Sequence, residues 1–597
     1  MFYRREIDGL RTLAVVPVIL FHSGMSVFGG GFVGVDVFFV ISGYLITSII
    51  LADIEAGRFS LAYFYERRAR RILPALLFVI AATIPFAESW MMPDEFKNFG
   101  QSMVATTVFS NNILLAATSD YWSLASEFKP LLHTWSLGVE EQYYMIFPLI
   151  LMLCWRLFRN RLIFILCAAF AVSLTTAVWG VTKFPAATFY LLPTRAWEIL
   201  LGALVAYYHA HGKGVARAGA VSQSLSAIGV LLIVFSVFVF DENFPSPGLT
   251  TLAPTIGAVL IILFAFEGTI THRFLGSRAM VGVGLISYSL YLWHQPIFAL
   301  ARIYSPQPVG GGVFAILIVL CFAPAYLSWR FIEIPFRNKA IVSRKTLVYV
   351  CALGSASAFA FGVYLNYSYG MLGRFFDAQT RIEDIDKRFY NERVFHFKND
   401  IFSSQAKLKV LVSGNSFGRD FVNMTNEVFD VHNVEIVYRD DLSSCILPHR
   451  SDISDKLFYS ADVIIFASDV KTECVSDDIK FAQSHGKDIF YIGTKDFGYN
   501  LNWLIRLPPD QRRNQYNQIS DTVIADEANL SSNVPPEHFI SLLSPVLKDG
   551  KIPVTDDSGR VLSTDRRHVT KYGAIFFGEK ALLNSRYGAV IKAAGPM

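Results

Sequence analysis

Apolar runs long enough to cross a bilayer, separated by short polar connections, fill the chain to about residue 366. They fall at 12–21, 32–51, 72–88, 142–155, 162–181, 190–208, 224–240, 250–266, 280–300, 311–329 and 345–365, about eleven spans at ~20 residues each. The first resembles a secretory leader only superficially. No small-residue cleavage site follows it and a second apolar run begins at once, so it reads as a retained span. Polar residues interrupt the stretch 102–117, which is left out of the crossings. From Leu408 the pattern changes to short apolar runs at 408–413, 434–438, 463–466 and 488–492, with helix-compatible stretches between them. That alternation predicts a mainly parallel sheet. The expected fold class is a polytopic α-helical membrane bundle, about ten spans plus one linking span, followed by an α/β/α domain.

Composition sharpens this. The 597 residues are 53% hydrophobic and only 17% charged, which excludes a disordered chain and an ordinary soluble enzyme. Lys plus Arg number 53 against 49 Asp plus Glu, a balance that gives no reason to expect nucleic acid as a partner. The basic residues are sorted, however. With 102–117 uncrossed, one side receives Arg4 and Arg5, Arg67–Arg71, Arg156, Arg159 and Arg161, Lys213 and Arg217, Arg273 and Arg278, and Arg337, Lys339, Arg344 and Lys345. By the positive-inside rule that side is cytoplasmic. The N-terminus then lies inside, residues 89–138 form a long, partly re-entrant outer segment, and the last span delivers the tail outside. No CxxC or HExxH spacing occurs, so no metal is expected.

Several polar groups stand in the apolar runs. Arg11 and His22, eleven residues apart, project from one helix face about 16 Å apart along its axis. An intramembrane ionisable pair is a functional hypothesis, yet an interfacial arginine plus a hydrogen-bonded histidine has the same spacing. Arg68 and Arg71 share a face at i, i+3, suited to a diphosphate or simply to anionic headgroups. Asp36, after a glycine-rich stretch, is costly unless paired. Trp135 and Glu141, in His133–Gln142, suit a sugar site or an interfacial belt. Arg195 and Glu198 at i, i+3 read equally as an ion pair or a site. His294 precedes Pro296, where a local helix break is expected.

Taken together, these words resemble the acyltransferase-3 family of membrane proteins over residues 1 to about 340: Glu6-Ile-Asp8-Gly9-Leu10-Arg11 with His22, Gly34-Val-Asp36-Val-Phe-Phe-Val-Ile-Ser42-Gly43-Tyr44, Arg68-x-x-Arg71 and His133-Thr-Trp135-Ser-Leu. The branch with an added span and an SGNH-hydrolase domain, typified by O-antigen O-acetyltransferases, is the most similar. The resemblance implies transfer of an acetyl group from cytoplasmic acetyl-CoA across the bacterial inner membrane to a lipid-linked O-antigen or other glycan in the periplasm. It makes His22 a base or acyl carrier and Arg11, Arg68 and Arg71 the acetyl-CoA contacts. Asp36, Trp135, Glu141 and Arg195 are then candidate substrate-binding residues. It also implies domains at 1–340 (acyltransferase), 341–366 (linking span), 367–407 (periplasmic extension) and 408–597 (SGNH-like). A transporter or flippase with an appended esterase or glycan-binding domain fits the intramembrane charges as well.

In the tail, Gly414-Asn415-Ser416-Phe417-Gly418 follows a strand and enters a helix, a turn expected to expose a serine hydroxyl beside backbone amides. Asp565-Arg-Arg-His568 supplies an acid three residues before a histidine, suited to orient it as base for Ser416. These blocks resemble the SGNH hydrolases. Asn415 stands where those enzymes have Asp, and Ala467-Ser468-Asp469 replaces their Gly-x-Asn block, leaving the oxyanion donors unassigned. Because the tail lies outside, its two cysteines, Cys445 and Cys474, are expected to be bridged.

Overall fold

A computed structural model describes residues 3–118, 125–212, 219–403, 407–442, 445–446, 452–467 and 470–595. Lys213, Arg217, Ser468 and Asp469 lie outside the described residues. The chain divides into two compact units, one of residues 1–88, 95–302 and 309–371, the other of 89–94, 303–308 and 372–597.

In the first unit, each apolar run has become a helix. The helices are Arg5–His22, Gly34–Glu55, Leu61–Trp90, Thr134–Phe158, Leu162–Lys183, Leu192–His211, Ala220–Val239, Leu252–Phe264, Arg278–Tyr304, Gly311–Ser328 and Arg344–Tyr367. Seven helical stretches among the described residues are long and apolar enough to span a membrane. Large apolar side chains such as Leu149, Ile150 and Leu153 remain exposed on them, as a lipid-facing surface requires. This is a multi-pass membrane protein. The helix Arg278–Tyr304 runs unbroken through Pro296, contrary to the expected break; membrane helices tolerate proline because neighbouring groups satisfy the freed carbonyl.

The interrupted stretch 102–117 forms parts of two shorter helices, Pro93–Thr107 and Asn111–Thr118, parted at Phe109 with φ 54°. Several of its polar groups are engaged. Asn111 donates to the Leu131 carbonyl (3.0 Å) and to Thr134 (2.8 Å), and Gln142 donates to the Phe109 carbonyl (2.8 Å).

The helices Gly34–Glu55 and Leu192–His211 approach most closely through glycine. A Cβ at Gly43 would lie 1.8 Å from the Ile199 carbonyl oxygen, and one at Gly202 would lie 2.1 Å from that of Val40. Close backbone approach of this kind drives helix association where lipid offers no hydrophobic gain.

The second unit carries a five-stranded sheet in the order β2-β1-β3-β4-β6, with every neighbouring pair parallel. Its strands are β1 (Leu408–Ser413), β2 (Val434–Arg439), β3 (Val463–Phe466), β4 (Asp488–Ile492) and β6 (Phe539–Ile540), while β5 (Tyr516–Gln518) and β7 (Lys551–Pro553) form a separate antiparallel pair. Helices and loops cover both faces, which is why the central strands carry consecutive apolar residues, Val410–Val412 in β1 and Val463–Phe466 in β3, rather than alternate ones. Val410, Val412, Val463 and Ile465 enter one core; Leu411, Ile464 and Phe466 enter the other. Tyr390 and Val394, from the segment before β1, are buried in the first of these cores. Cys445 and Cys474 are joined in a disulfide.

Gly43→Leu therefore collides with backbone rather than with a side chain that can move aside. It is expected to destabilise the bundle by at least about 1–3 kcal/mol, read as a lower melting temperature and loss of monodisperse protein in detergent. Gly312→Leu, at a site with nothing within 4 Å of the added Cβ, serves as the tolerated control.

Candidate active site

Inside the first unit lies a cavity of about 880 Å³, counted out to its mouth. Arg11 reaches it from Arg5–His22, and Arg68 and Arg71 from Leu61–Trp90. The i, i+3 spacing explains why these two, of four clustered arginines, face it. Arg70 points elsewhere, to Glu66 (2.9 Å) and to the carbonyls of Phe336 (2.9 Å) and Val342 (2.8 Å). Opposite stands one face of Thr134–Phe158, carrying His133, Ser136, Leu137, Glu140 and Tyr144. The Arg68 guanidinium sits 5.8 Å from the centre of the Tyr144 ring. His133 is eleven residues back along that helix, so the cavity wall runs roughly 16 Å from the arginine level to His133.

His22 does not line the cavity. Its Nδ1 lies 3.2 Å from Nε2 of His294, whose own Nδ1 lies 2.6 Å from the Tyr291 carbonyl. A carbonyl only accepts, so His294 carries its proton on Nδ1 and receives with Nε2. His22 must then donate from Nδ1, which leaves the lone pair on its Nε2. The His133 ring centre is 5.6 Å from that of His294, and three imidazoles thus gather at this level.

In the second unit, Ser416 opens the helix Ser416–Val428 immediately after β1. Asn415 caps that helix, its side-chain oxygen accepting from the Phe417 N–H at 3.0 Å. Ser416 Oγ lies 3.0 Å from His568 Nε2, and His568 Nδ1 lies 2.6 Å from Asp565 Oδ2. Asp565 Oδ1 also accepts from the backbone N–H of His568 (2.8 Å), so the three-residue spacing locks acid and imidazole together. With Nδ1–H committed to the carboxylate, Nε2 offers its lone pair to the serine hydroxyl. Burial alone would raise the Asp565 carboxyl, but the imidazole of His568 and the Lys387 ammonium, 3.3 Å away, hold it well below the ordinary carboxylate range.

The matching family profile is that of the acyltransferase domain, and it covers residues 4–330, more than half of the chain. The chain belongs to the acyltransferase-3 family. It is 30% identical over 349 residues to O-acetyltransferase OatA of Staphylococcus aureus, an alignment that takes in 56% of this chain and 58% of that protein. To peptidoglycan O-acetyltransferase OatA of Listeria monocytogenes it is 31% identical over 355 residues, 57% of each. The chain thus matches little more than half the length of these relatives. No solved structure matches it.

The acyltransferase-3 domain brings Arg11, Arg68 and Arg71 together and sets His22 against His294. The four candidate substrate residues lie off the cavity lining. Asp36 and Arg195 pair at 2.8 Å, Glu198 adds a second contact at 2.9 Å, and all three are buried. Trp135 lies beneath that guanidinium at 5.3 Å. Glu141 is buried behind the helix face that meets the cavity, and Glu140 is the acid that meets it, held by Ser42 (2.9 Å) and Tyr144 (3.1 Å). Helical periodicity from His133 through Leu137 to Glu140 and Tyr144 was the available signal. His133 and His294 were visible as polar groups in apolar runs, but nothing in the sequence joins them to His22.

In the tail, Ser416 is buried, not exposed as its turn suggests. Asn391, from the helix Lys387–Glu392, lies over it and donates to the Ser416 carbonyl at 3.0 Å and to Asp420 at 2.6 Å. Asp420 in turn accepts from the Val569 N–H (3.3 Å), next to His568, and pairs with Lys495 (2.9 Å). Burial lowers the Lys495 ammonium against the opposing pull of Asp420. This network ties the serine helix to the histidine loop. Lys495→Met leaves a buried carboxylate without its cation and is expected to cost about 3–5 kcal/mol in denaturant unfolding of the tail. Adding Asp420→Asn to that variant should restore part of the loss.

Proposed function

We propose that this protein is a membrane O-acetyltransferase that moves an acetyl group from cytoplasmic acetyl-CoA to a hydroxyl of a surface glycan outside the inner membrane. One observation carries the reading: Arg11, Arg68 and Arg71, from two separate helices, converge on one cavity whose lining among the described residues contains a single acid, Glu140. An arginine within a membrane is expensive, about 2.5–3.5 kcal/mol each on insertion scales. Three facing one space are accounted for by an anionic ligand, and guanidinium forks match the paired oxygens of a diphosphate. Membership of the acyltransferase-3 family and the names of the relatives support an acyl donor and a glycan acceptor.

In this reading the diphosphate of acetyl-CoA docks on Arg68 and Arg71 with Arg11 assisting, and the thioester arm lies along the face that leads to His133. His22, with its lone pair on Nε2, serves as base on the acceptor side. Ser416, with His568 as base and Asp565 as its orienting acid, offers a second relay in the tail, where the SGNH-like arrangement would hand the acetyl to the glycan. The clustering of basic residues supports a cytoplasmic N-terminus and a periplasmic tail. The sequence resemblance favours lipid-linked O-antigen as acceptor, and the Listeria relative's name favours peptidoglycan; both present carbohydrate hydroxyls outside the membrane.

Nuclear magnetic resonance of both glycans, from cells lacking the protein and complemented with wild type or His22→Ala, tests the reading. Acetyl-ester signals should appear on one glycan with wild type and vanish with His22→Ala at equal membrane abundance. Wild-type signals from the variant would refute it. Inside-out vesicles given radiolabelled acetyl-CoA separate transfer from transport, since a carrier would accumulate label without esterifying anything.

A further inference from the structure

The histidine in the cavity lining, among the described residues, is His133. It is 1% exposed, lines the cavity, and is carried at the entry of Thr134–Phe158. Its backbone is pinned, because the Tyr291 hydroxyl donates to the His133 carbonyl at 2.9 Å and lies 2.7 Å from Ser136 Oγ. Its ring is not pinned in the same way. Neither ring nitrogen makes a well-aligned hydrogen bond among the described residues, although the Pro130 carbonyl stands beside the ring. A proton directed at Pro130 from one nitrogen leaves a lone pair on the other. By contrast, His22 is engaged with His294 and is absent from the cavity lining.

Buried polar atoms left unpaired are costly, about 1–3 kcal/mol each, and call for an explanation. Here the ring nitrogen turned from Pro130 is such an atom, on a nucleophile in the wall of the space that the donor is proposed to occupy. Resting on the acetyl-CoA reading above, we infer that His133 is the first acyl acceptor, upstream of His22. Its lone-pair nitrogen attacks the thioester carbonyl, a C–N bond forms and the C–S bond breaks. The departing thiolate takes the proton released by the imidazole, giving free CoA thiol and acetyl-imidazole. An acceptor hydroxyl then attacks the acetyl-imidazole, losing its proton to His22; the C–N bond breaks, and His22 returns that proton to the solvent-side relay that reprotonates the departing His133 nitrogen, so both imidazoles end neutral.

The test uses the full-length protein in detergent with acetyl-CoA and no glycan, in a Ser416→Ala background that removes the tail's own esterolysis. Thiol release is followed by rapid mixing. The parent should give a burst that His133→Ala slows by at least about 100-fold, with CoA affinity within about threefold of the parent, while His22→Ala keeps the burst. Acid quenching of the parent and peptide mass spectrometry should place the acetyl group on the peptide containing His133, a readout that does not depend on any variant folding. A burst unaffected by His133→Ala, or acetyl found on the His22 peptide alone, overturns the inference while leaving the donor reading intact. A parent that binds no CoA overturns the donor reading and this inference with it.

Discussion

A guanidinium held among apolar helices has no bulk water to satisfy it, and the placement of arginines is the constraint around which the membrane unit is arranged. Arg70 and Arg195 direct their donors at protein groups: a glutamate and two carbonyls for the first, an aspartate, a glutamate and the Phe189 carbonyl for the second. Arg11, Arg68 and Arg71 line the cavity; Arg11 keeps a longer ion pair with Asp8 (3.7 Å), whereas Arg68 Nε has no partner among the described residues. At a few kcal/mol for each charge, the first arrangement is structural and the second suits an anionic ligand. The distinction rests on where each guanidinium points.

Both candidate sites are framed by buried charge held at fixed register. In the membrane unit, the Asp36–Arg195–Glu198 cluster joins the same two helices that meet through Gly43 and Gly202, so close packing and ion pairing locate one helix against the other. In the tail, Asp420 connects Lys495, Asn391 and the backbone beside His568, and so sets Ser416 at hydrogen-bond distance from its base. A buried ion pair contributes little net stability compared with a hydrophobic replacement. Its effect here is geometric: a group that loses its partner is costly, so alternative registers are disfavoured.

The helices were legible because a bilayer requires ~20 apolar residues per crossing, and the parallel strands because burial on both faces leaves consecutive apolar residues in their centres. Ser416 and His568, 152 residues apart, were joined by motif and stand at hydrogen-bond distance. What the sequence concealed depended on long-range packing. Glu140 and Glu141 are chemically alike and adjacent, and only the position of the cavity separates their surroundings. The gathering of His22, His133 and His294 needs three helices that no local pattern brings together. The covering of Ser416 involves Asn391, in the segment read as a periplasmic extension, which donates to the Ser416 carbonyl.

The most direct measurement of the central claim is the sidedness of the cavity and its occupancy by CoA. Ser287 lines the cavity, and Ser287→Cys in a background lacking Cys154, Cys167, Cys321 and Cys351, the free cysteines, introduces a small reactive probe. In oriented vesicles, a membrane-impermeant thiol reagent should modify residue 287 from the cytoplasmic face alone, and saturating desulfo-CoA, a CoA with no thiol to consume the reagent, should slow the reaction at least tenfold, about 1.4 kcal/mol of protection. Modification from the periplasmic face, or a rate indifferent to desulfo-CoA, would contradict the account.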